Sequence, residues 1–290
     1  MNADIFLEEL LEDCKKEYNH FCEFQRIVLN IFDITHQILV RNHITYYAAY
    51  GTLLGVYRDS SIIPWDYDFD IMISIKDAVL TQKILERDLP KDYYVISNFN
   101  NKHFPYYQMR VGKKGFDHRL HLDIFYFFGV PDDIDEIRRI KKKTVRLVEA
   151  RSRRLIKPHK TNSFKKDLYY LIKGILYKFV HPLTTRQILD RSINKMLYIN
   201  PIEDSKKVAI FCEAFVVLEK EDLGKPVEHV FNNHRILMPE RIESVLNCCY
   251  QDFKSIPKFE TRNMEYRRGL DHIYDMEKRN RQLNAQYRNK

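Results

Sequence analysis

Between Ile63 and Ile71 the chain reads Ile-Pro-Trp-Asp-Tyr-Asp-Phe-Asp-Ile, so Asp66, Asp68 and Asp70 recur at every second residue. In an extended segment that period turns side chains of one kind onto one face. Carboxylates packed so closely repel one another, and the arrangement is stable only with a hard cation such as Mg²⁺, or a proton, among them. The other use of alternating acids is the solvated face of an edge strand. It accounts less well for three Asp, a residue depleted in strands, beside Trp65, Phe69, Ile71 and Ile73. Asp66, Asp68 and Asp70 are therefore candidate metal ligands. Just upstream runs Gly51-Thr52-Leu53-Leu54-Gly55. Glycines let backbone approach a ligand closely, and a loop opening a helix offers free N–H groups to phosphate, which makes Gly51, Thr52 and Gly55 candidate substrate contacts.

A fourth acid, Asp123, sits inside the strand-like run His121 to Phe128, which ends at Gly129-Val130-Pro131. An acid in an apolar strand needs a partner; a metal shared with Asp68 and Asp70 supplies one, and an edge-strand hydrogen bond is the alternative. Arg58 and Arg110 are candidate phosphate contacts through the guanidinium fork, the alternative for Arg58 being an ordinary surface ion pair. Trp65 is suited either to stacking on a base or quaternary ammonium, or to packing beneath the acids and fixing their loop. His118 and His121 lack metal-ligand spacing and read as polar neighbours.

Apolar spacing predicts one or two helices over 4–42, a strand over 43–50, a short helix over 51–57 and a second strand over 68–74. A helix over 76–88 follows, then strands over 93–97, 106–111 and 120–128, with Gly112-Lys113-Lys114-Gly115 as a turn. Helices dominate 133–200, and 208–218 is ambiguous between helix and strand. The polar, basic segment 261–290 is expected to be a surface helix or a frayed end.

With these motifs in hand, the chain resembles the LicD/fukutin-related family. The resemblance is carried by Tyr50 to Arg58, Ile63 to Ile71, and Leu122-Asp123-Ile124-Phe125 with Gly129-Val130-Pro131-Asp132; a weaker echo runs from Phe231 to Pro239 and from Leu246 to Phe253. It implies an α/β (α+β) nucleotidyltransferase-like fold with a mixed sheet, read here as one unit: core 27–131 and 205–255, a basic helical insertion over 133–200, and the basic tail. It also implies transfer of a phosphocholine-like or phosphoalditol group from a CDP-linked donor to a glycan or lipid-linked glycan. Asp68, Asp70 and Asp123 would be catalytic, and Mg²⁺ or Mn²⁺ would be held by them with Asp66. Asp123 would serve as base or as ligand. Many bacterial members carry a further Asp where Tyr67 stands; Tyr67 should point away from the three acids, so the change leaves the chemistry intact.

The chain is 290 residues long and 44% hydrophobic, with nineteen Tyr and eighteen Phe against eight Gly, which excludes a disordered protein. Cys14, Cys22, Cys212, Cys248 and Cys249 form no Cys-x-x-Cys pair and are expected to be reduced core thiols of a cytosolic protein. The acidic first residues do not resemble a signal peptide, and no apolar run approaches the roughly 20 residues of a membrane span. The net charge of +8 is local: Arg138 to Lys166 holds thirteen Lys or Arg against Glu149, an excess of 12 that leaves the remainder at −4. With the apolar stretch after it, 138–180 is suited to peripheral contact with an anionic membrane at its inner face. A solvated helix face fits that segment equally well. The rivals to phospho-headgroup transfer are nucleotidyl transfer and a non-catalytic basic protein holding membrane or nucleic acid; the last leaves the acids unexplained.

Overall fold

The computed structural model describes residues 2–10, 12–116, 120–155, 168–169, 171–172, 186–211 and 215–288. Two helices lead, α1 (Asn2–Glu9) and α2 (Glu12–Arg41). Along α2 the buried side chains Tyr18, Phe21, Phe24, Val28, Phe32 and Leu39 recur at helical spacing and form one continuous apolar stripe. Then come β1 (Tyr46–Ala48), α3 (Tyr50–Asp59), β2 (Asp70–Ser74), α4 (Ala78–Asp88), β3 (Tyr93–Ser97), β4 (Met109–Lys113) and β5 (His121–Val130). The second half holds α5 (Ile134–Leu155), α6 (Arg186–Leu197), β6 (Lys207–Phe211), β7 (Val216–Glu219) and the short α7 (Lys220–Leu223). A hairpin of β8 (Val227–Phe231) and β9 (His234–Met238), then α8 (Ile242–Cys249) and α9 (Phe259–Arg288), complete it.

Seven strands form one mixed sheet, in the order β1-β2-β5-β4-β3, with β6 and β7 continuing from β5. Among the described strands only β2 and β5 run parallel, and they set Asp70 opposite Asp123. The pairing of β4 with β5 sets Arg110 opposite Asp123 on its other side. Central β5 is long enough to pair with β4 through residues 121–124 and with β6 through 126–130. All five residues of β2 are buried and β5 is nearly all apolar, as expected of strands covered on both faces. Phe32 packs on Phe69 with centroids 4.5 Å apart, and Phe69 stacks on Phe231, which binds α2, the acid-bearing segment and the hairpin into one core.

The α/β class and mixed sheet match the sequence expectation; several boundaries do not. The first strand shrinks to Tyr46–Ala48 because Tyr50, at φ 42°, turns the chain into α3. The second begins only at Asp70: Ala49 N–H donates to the Asp70 carbonyl at the last rung beside β1, so residues 66–69 have no ladder on that side. The strand expected over 106–111 lies at Met109–Lys113, so Gly112 is in the sheet. A Cβ at Gly112 would stand 2.4 Å from the Tyr94 hydroxyl. The ambiguous 208–218 resolves into β6 and β7. The expected tail is a helix with one face buried, through Tyr266, Leu270, Ile273 and Met276. Cys22, Cys248 and Cys249 are free thiols, and Cys248 is exposed rather than in the core; the side chains of Cys14 and Cys212 lie outside the described residues, as do His118 and most of 156–185. Among the described residues no helix is long and apolar enough to cross a membrane.

Candidate active site

Asp70 is the first residue of β2, and its own N–H donates to the Thr52 hydroxyl in the first turn of α3 at 2.8 Å. Asp66 lies in the turn before it, where Asp66 N–H donates to the Ile63 carbonyl at 3.0 Å and Gln25 of α2 donates to the Asp66 carbonyl at 2.6 Å. A Cβ at Gly51 would stand 2.5 Å from Asp66 Oδ2, so glycine there lets the start of α3 close on that carboxylate. At Gly55 a Cβ would stand 2.7 Å from the Ser61 carbonyl oxygen, which is how the chain doubles back beneath α3. The close approach that each glycine permits is thus to the protein itself.

The four carboxylates gather. Those of Asp66 and Asp68 share a hydrogen bond, Asp68 feels the charge of Asp66 and Asp123, and Asp70 that of Asp68 and Asp123. Burial first, then repulsion by Asp66 and Asp123, pushes the Asp68 carboxyl well above the ordinary range. Asp70 is raised by burial and by Asp68 and Asp123; Asp66 is raised by burial and by Asp70. Asp123 behaves oppositely: burial opposes its ionisation, but His121 and Arg110 outweigh that and hold it at about 2. Its Oδ1 accepts from Arg110 Nε at 2.8 Å and from Gln108 Nε2 at 2.5 Å, and His121 Nε2 lies 3.2 Å from Oδ2. Arg110 itself lies over the Tyr106 ring, 4.5 Å from its centroid. Tyr250, after α8, is raised by burial and by nearby charge that includes all of Asp66, Asp68 and Asp70.

In front of this cluster opens a cavity of about 190 Å³, whose polar side is Asp68, Arg110, His121 and Asp123. Phe24 and Val28 of α2, His272, Ile273 and Met276 of α9, and Tyr67 and Tyr106 also line it. Asp66 and Asp70 stand behind, against α3. Arg58 is elsewhere: it pairs with Asp59 at 3.0 Å, and its guanidinium lies 5.8 Å from the Trp65 ring. Trp65 is buried between Phe6, Arg58 and Arg262, so of its two expected roles the packed one is realised. Tyr67, expected to point away from the acids, lines the cavity with Asp68 because residues 66–69 are not regular strand. Sequence reasoning missed Gln108, Tyr106 and the α9 residues and gave His121 no role; register across β4 and β5 brings Arg110 to Asp123, which no local pattern reports, whereas His121 meets Asp123 because residues two apart on β5 share a face.

The donor chemistry suits a hard divalent ion: oxygen ligands only, with three carboxyls destabilised by one another's charge. As the side chains stand, no group of three Asp, Glu, His or Cys among the described residues is arranged to ligate an ion, and Asp123 gives its oxygens to Arg110, Gln108 and His121.

Known proteins resemble parts of the chain. An uncharacterized protein of Rickettsia prowazekii is 47% identical over 51 residues, covering 18% of this chain and 19% of that protein. An uncharacterized protein of Rickettsia typhi is 41% identical over 64 residues, covering 22% and 21%. The lipopolysaccharide cholinephosphotransferase LicD of Haemophilus influenzae is 26% identical over 134 residues, covering 43% of this chain and 51% of that protein. The matches thus span about a fifth of the two rickettsial proteins and about half of the third. The family described as LicD/FKTN/FKRP, nucleotidyltransferase domain, matches residues 43–194, more than half of the chain, and takes in β1 to β5 with all four acids. The chain therefore belongs to the LicD/FKTN/FKRP nucleotidyltransferase-domain family.

Proposed function

We propose that the protein is a metal-dependent phosphotransferase that moves a small phospho-headgroup from a CDP-linked donor to a glycan hydroxyl. The observation that carries this reading is the convergence of four carboxylates from β2, the segment before it and β5, beside a cavity that also presents Arg110. A divalent ion held by Asp66, Asp68, Asp70 and Asp123 would set positive charge against the donor diphosphate and the departing nucleotide.

In the step itself the acceptor oxygen attacks the headgroup phosphorus. A P–O bond to the acceptor forms as the P–O bond to CMP breaks, and CMP leaves with the electron pair. Asp123, engaged through both oxygens by Arg110, Gln108 and His121, is suited to an ionised ligand rather than a base. Asp68, its neighbour on the cavity, is the proposed acceptor of the hydroxyl proton. Arg110 holds Asp123 in place and is near enough to share the donor's phosphate charge.

Asp68→Asn and Asp70→Asn are expected to abolish Mg²⁺-dependent transfer while leaving the protein as stable or more so, by up to about 2 kcal/mol, because each removes a repelling buried charge. The assay follows label in both halves of the donor. Full turnover in either variant removes the reading; label from the nucleotide half on the acceptor replaces it with nucleotidyl transfer.

A further inference from the structure

The cavity is closed by α9, which lies wholly outside the family-matched segment 43–194. Its seat is tight: a Cβ at Gly269 would stand 2.7 Å from Phe21 Cε2 and 2.8 Å from Tyr67 Cδ1, so the helix backbone rests directly on α2 and on the acid-bearing turn. One turn on, the His272 ring lies against Tyr67 with centroids 5.0 Å apart. Beyond it the Tyr274 hydroxyl meets Glu17 at 2.9 Å and His20 meets Glu277 at 2.9 Å, both ties to α2. Ile273 and Met276, 1% and 2% exposed, line the cavity together with Asp68 and Asp123.

Size decides what this space admits. Sites that bury a whole drug-sized ligand run from roughly 300 to 1,000 Å³. At about 190 Å³ the cavity does not hold a nucleoside diphosphate, but it holds a compact group attached to the reacting phosphate. Its lining from α2 and α9 is mostly apolar, Phe24, Val28, Ile273 and Met276 with the His272 ring among them, and its charged lining is Asp68, Arg110, His121 and Asp123. A ligand phosphate therefore belongs at the acid and arginine end and the substituent against α9.

We propose that α9 is the specificity wall of the site, and that Met276, with Ile273, sets the size of the headgroup carried on the transferred phosphate. This rests on the transferase reading. The test is calorimetric binding, with Mg²⁺ present, of methyl phosphate, phosphoethanolamine and phosphocholine as a size series, with CMP as the nucleotide control. Met276→Trp should weaken the largest probe bound by wild type by roughly tenfold, and Met276→Ala should shift preference toward larger probes by a similar factor, since one methylene in an apolar pocket carries that much discrimination. CMP should change less than about twofold in both. Circular dichroism checks the fold, and the alanine variant serves if the tryptophan does not fit. An unchanged size order in the folded variants, CMP weakening in step with the phosphates, or no binding of any of the three by wild type overturns the proposal. If Asp68→Asn abolishes transfer but the size order ignores residue 276, only the role of α9 falls. If Asp68→Asn keeps full turnover, the transferase reading falls whatever residue 276 does.

Discussion

Gly51 and Gly55 stand one helical turn apart in α3, yet the space a methyl would claim differs in kind. At Gly51 it is taken by the free end of the Asp66 side chain, which can rotate away, and at Gly55 by the backbone of Ser61 and Ile63, which cannot. Gly51→Ala should leave the thermal midpoint close to wild type but displace the Asp66 carboxylate, lowering turnover by roughly ten- to a hundredfold, the penalty for misplacing a group by about 1 Å. Gly55→Ala should instead lower stability by about 1–3 kcal/mol, as overpacking does. Paired turnover and thermal-melt measurements check both, and equal behaviour of the two variants would contradict the geometry. That Gly51 and Gly55 stand close before the acids was legible in the sequence, as was the crowding of Asp66, Asp68 and Asp70. What each glycine accommodates was not, because it depends on where the chain folds back. Arg58 shows the same limit: its neighbour Asp59 is adjacent in sequence, but only the fold decides whether a guanidinium turns to it or to a cleft.

Helices α5 and α6 pack beside the loop that precedes β4, and the tie is Arg151. Its side chain is fully buried, donates to Asp190 at 2.6 Å and to the carbonyls of Phe104 and Pro105 at 2.7 and 3.0 Å, and lies over the Tyr107 ring. The residue between, Tyr106, flanks the cavity, so the helical pair reaches the site through this loop. Removing one member of a buried ion pair leaves the other charge and its acceptors unmet. Arg151→Leu should cost on the order of 3 kcal/mol in urea denaturation. Asp190→Asn should cost less, since Asp190 still reaches water. In the sequence Arg151 is one more cation in a basic run, and composition could not single it out. Helical spacing does: Ile137, Ile140, Thr144 and Arg151 share the buried side of α5. The β8–β9 hairpin was legible but unread, for Asn232-Asn233 between alternating apolar residues marks a two-residue turn, and both asparagines adopt positive φ. In α9 the mostly polar composition hid a stripe whose burial became visible only against α2.

Part of the basic run lies on α5, where Arg139, Lys142, Lys143 and Arg146 are exposed. Basic residues near an anionic bilayer contribute about 1 kcal/mol each at modest salt. Co-sedimentation with phosphatidylserine vesicles should therefore detect binding that falls steeply as salt rises, and replacing these four residues with Gln should weaken it at least roughly tenfold. Binding to neutral vesicles alone, or stronger binding to RNA than to vesicles, would count against peripheral membrane contact. The acids are built from β2 and β5, early in the chain, whereas the wall that confines them comes from its last helix, tied back to the first two through Tyr266 against Phe6 and Tyr18, and Arg262 to Glu9. Because translation proceeds from the N-terminus, a nascent chain on the ribosome assembles its acidic centre well before the residues that enclose it have been made. Until those final turns emerge, the centre stands open to water, and a product cut short before residue 259 would keep its charges without the partition that selects among ligands.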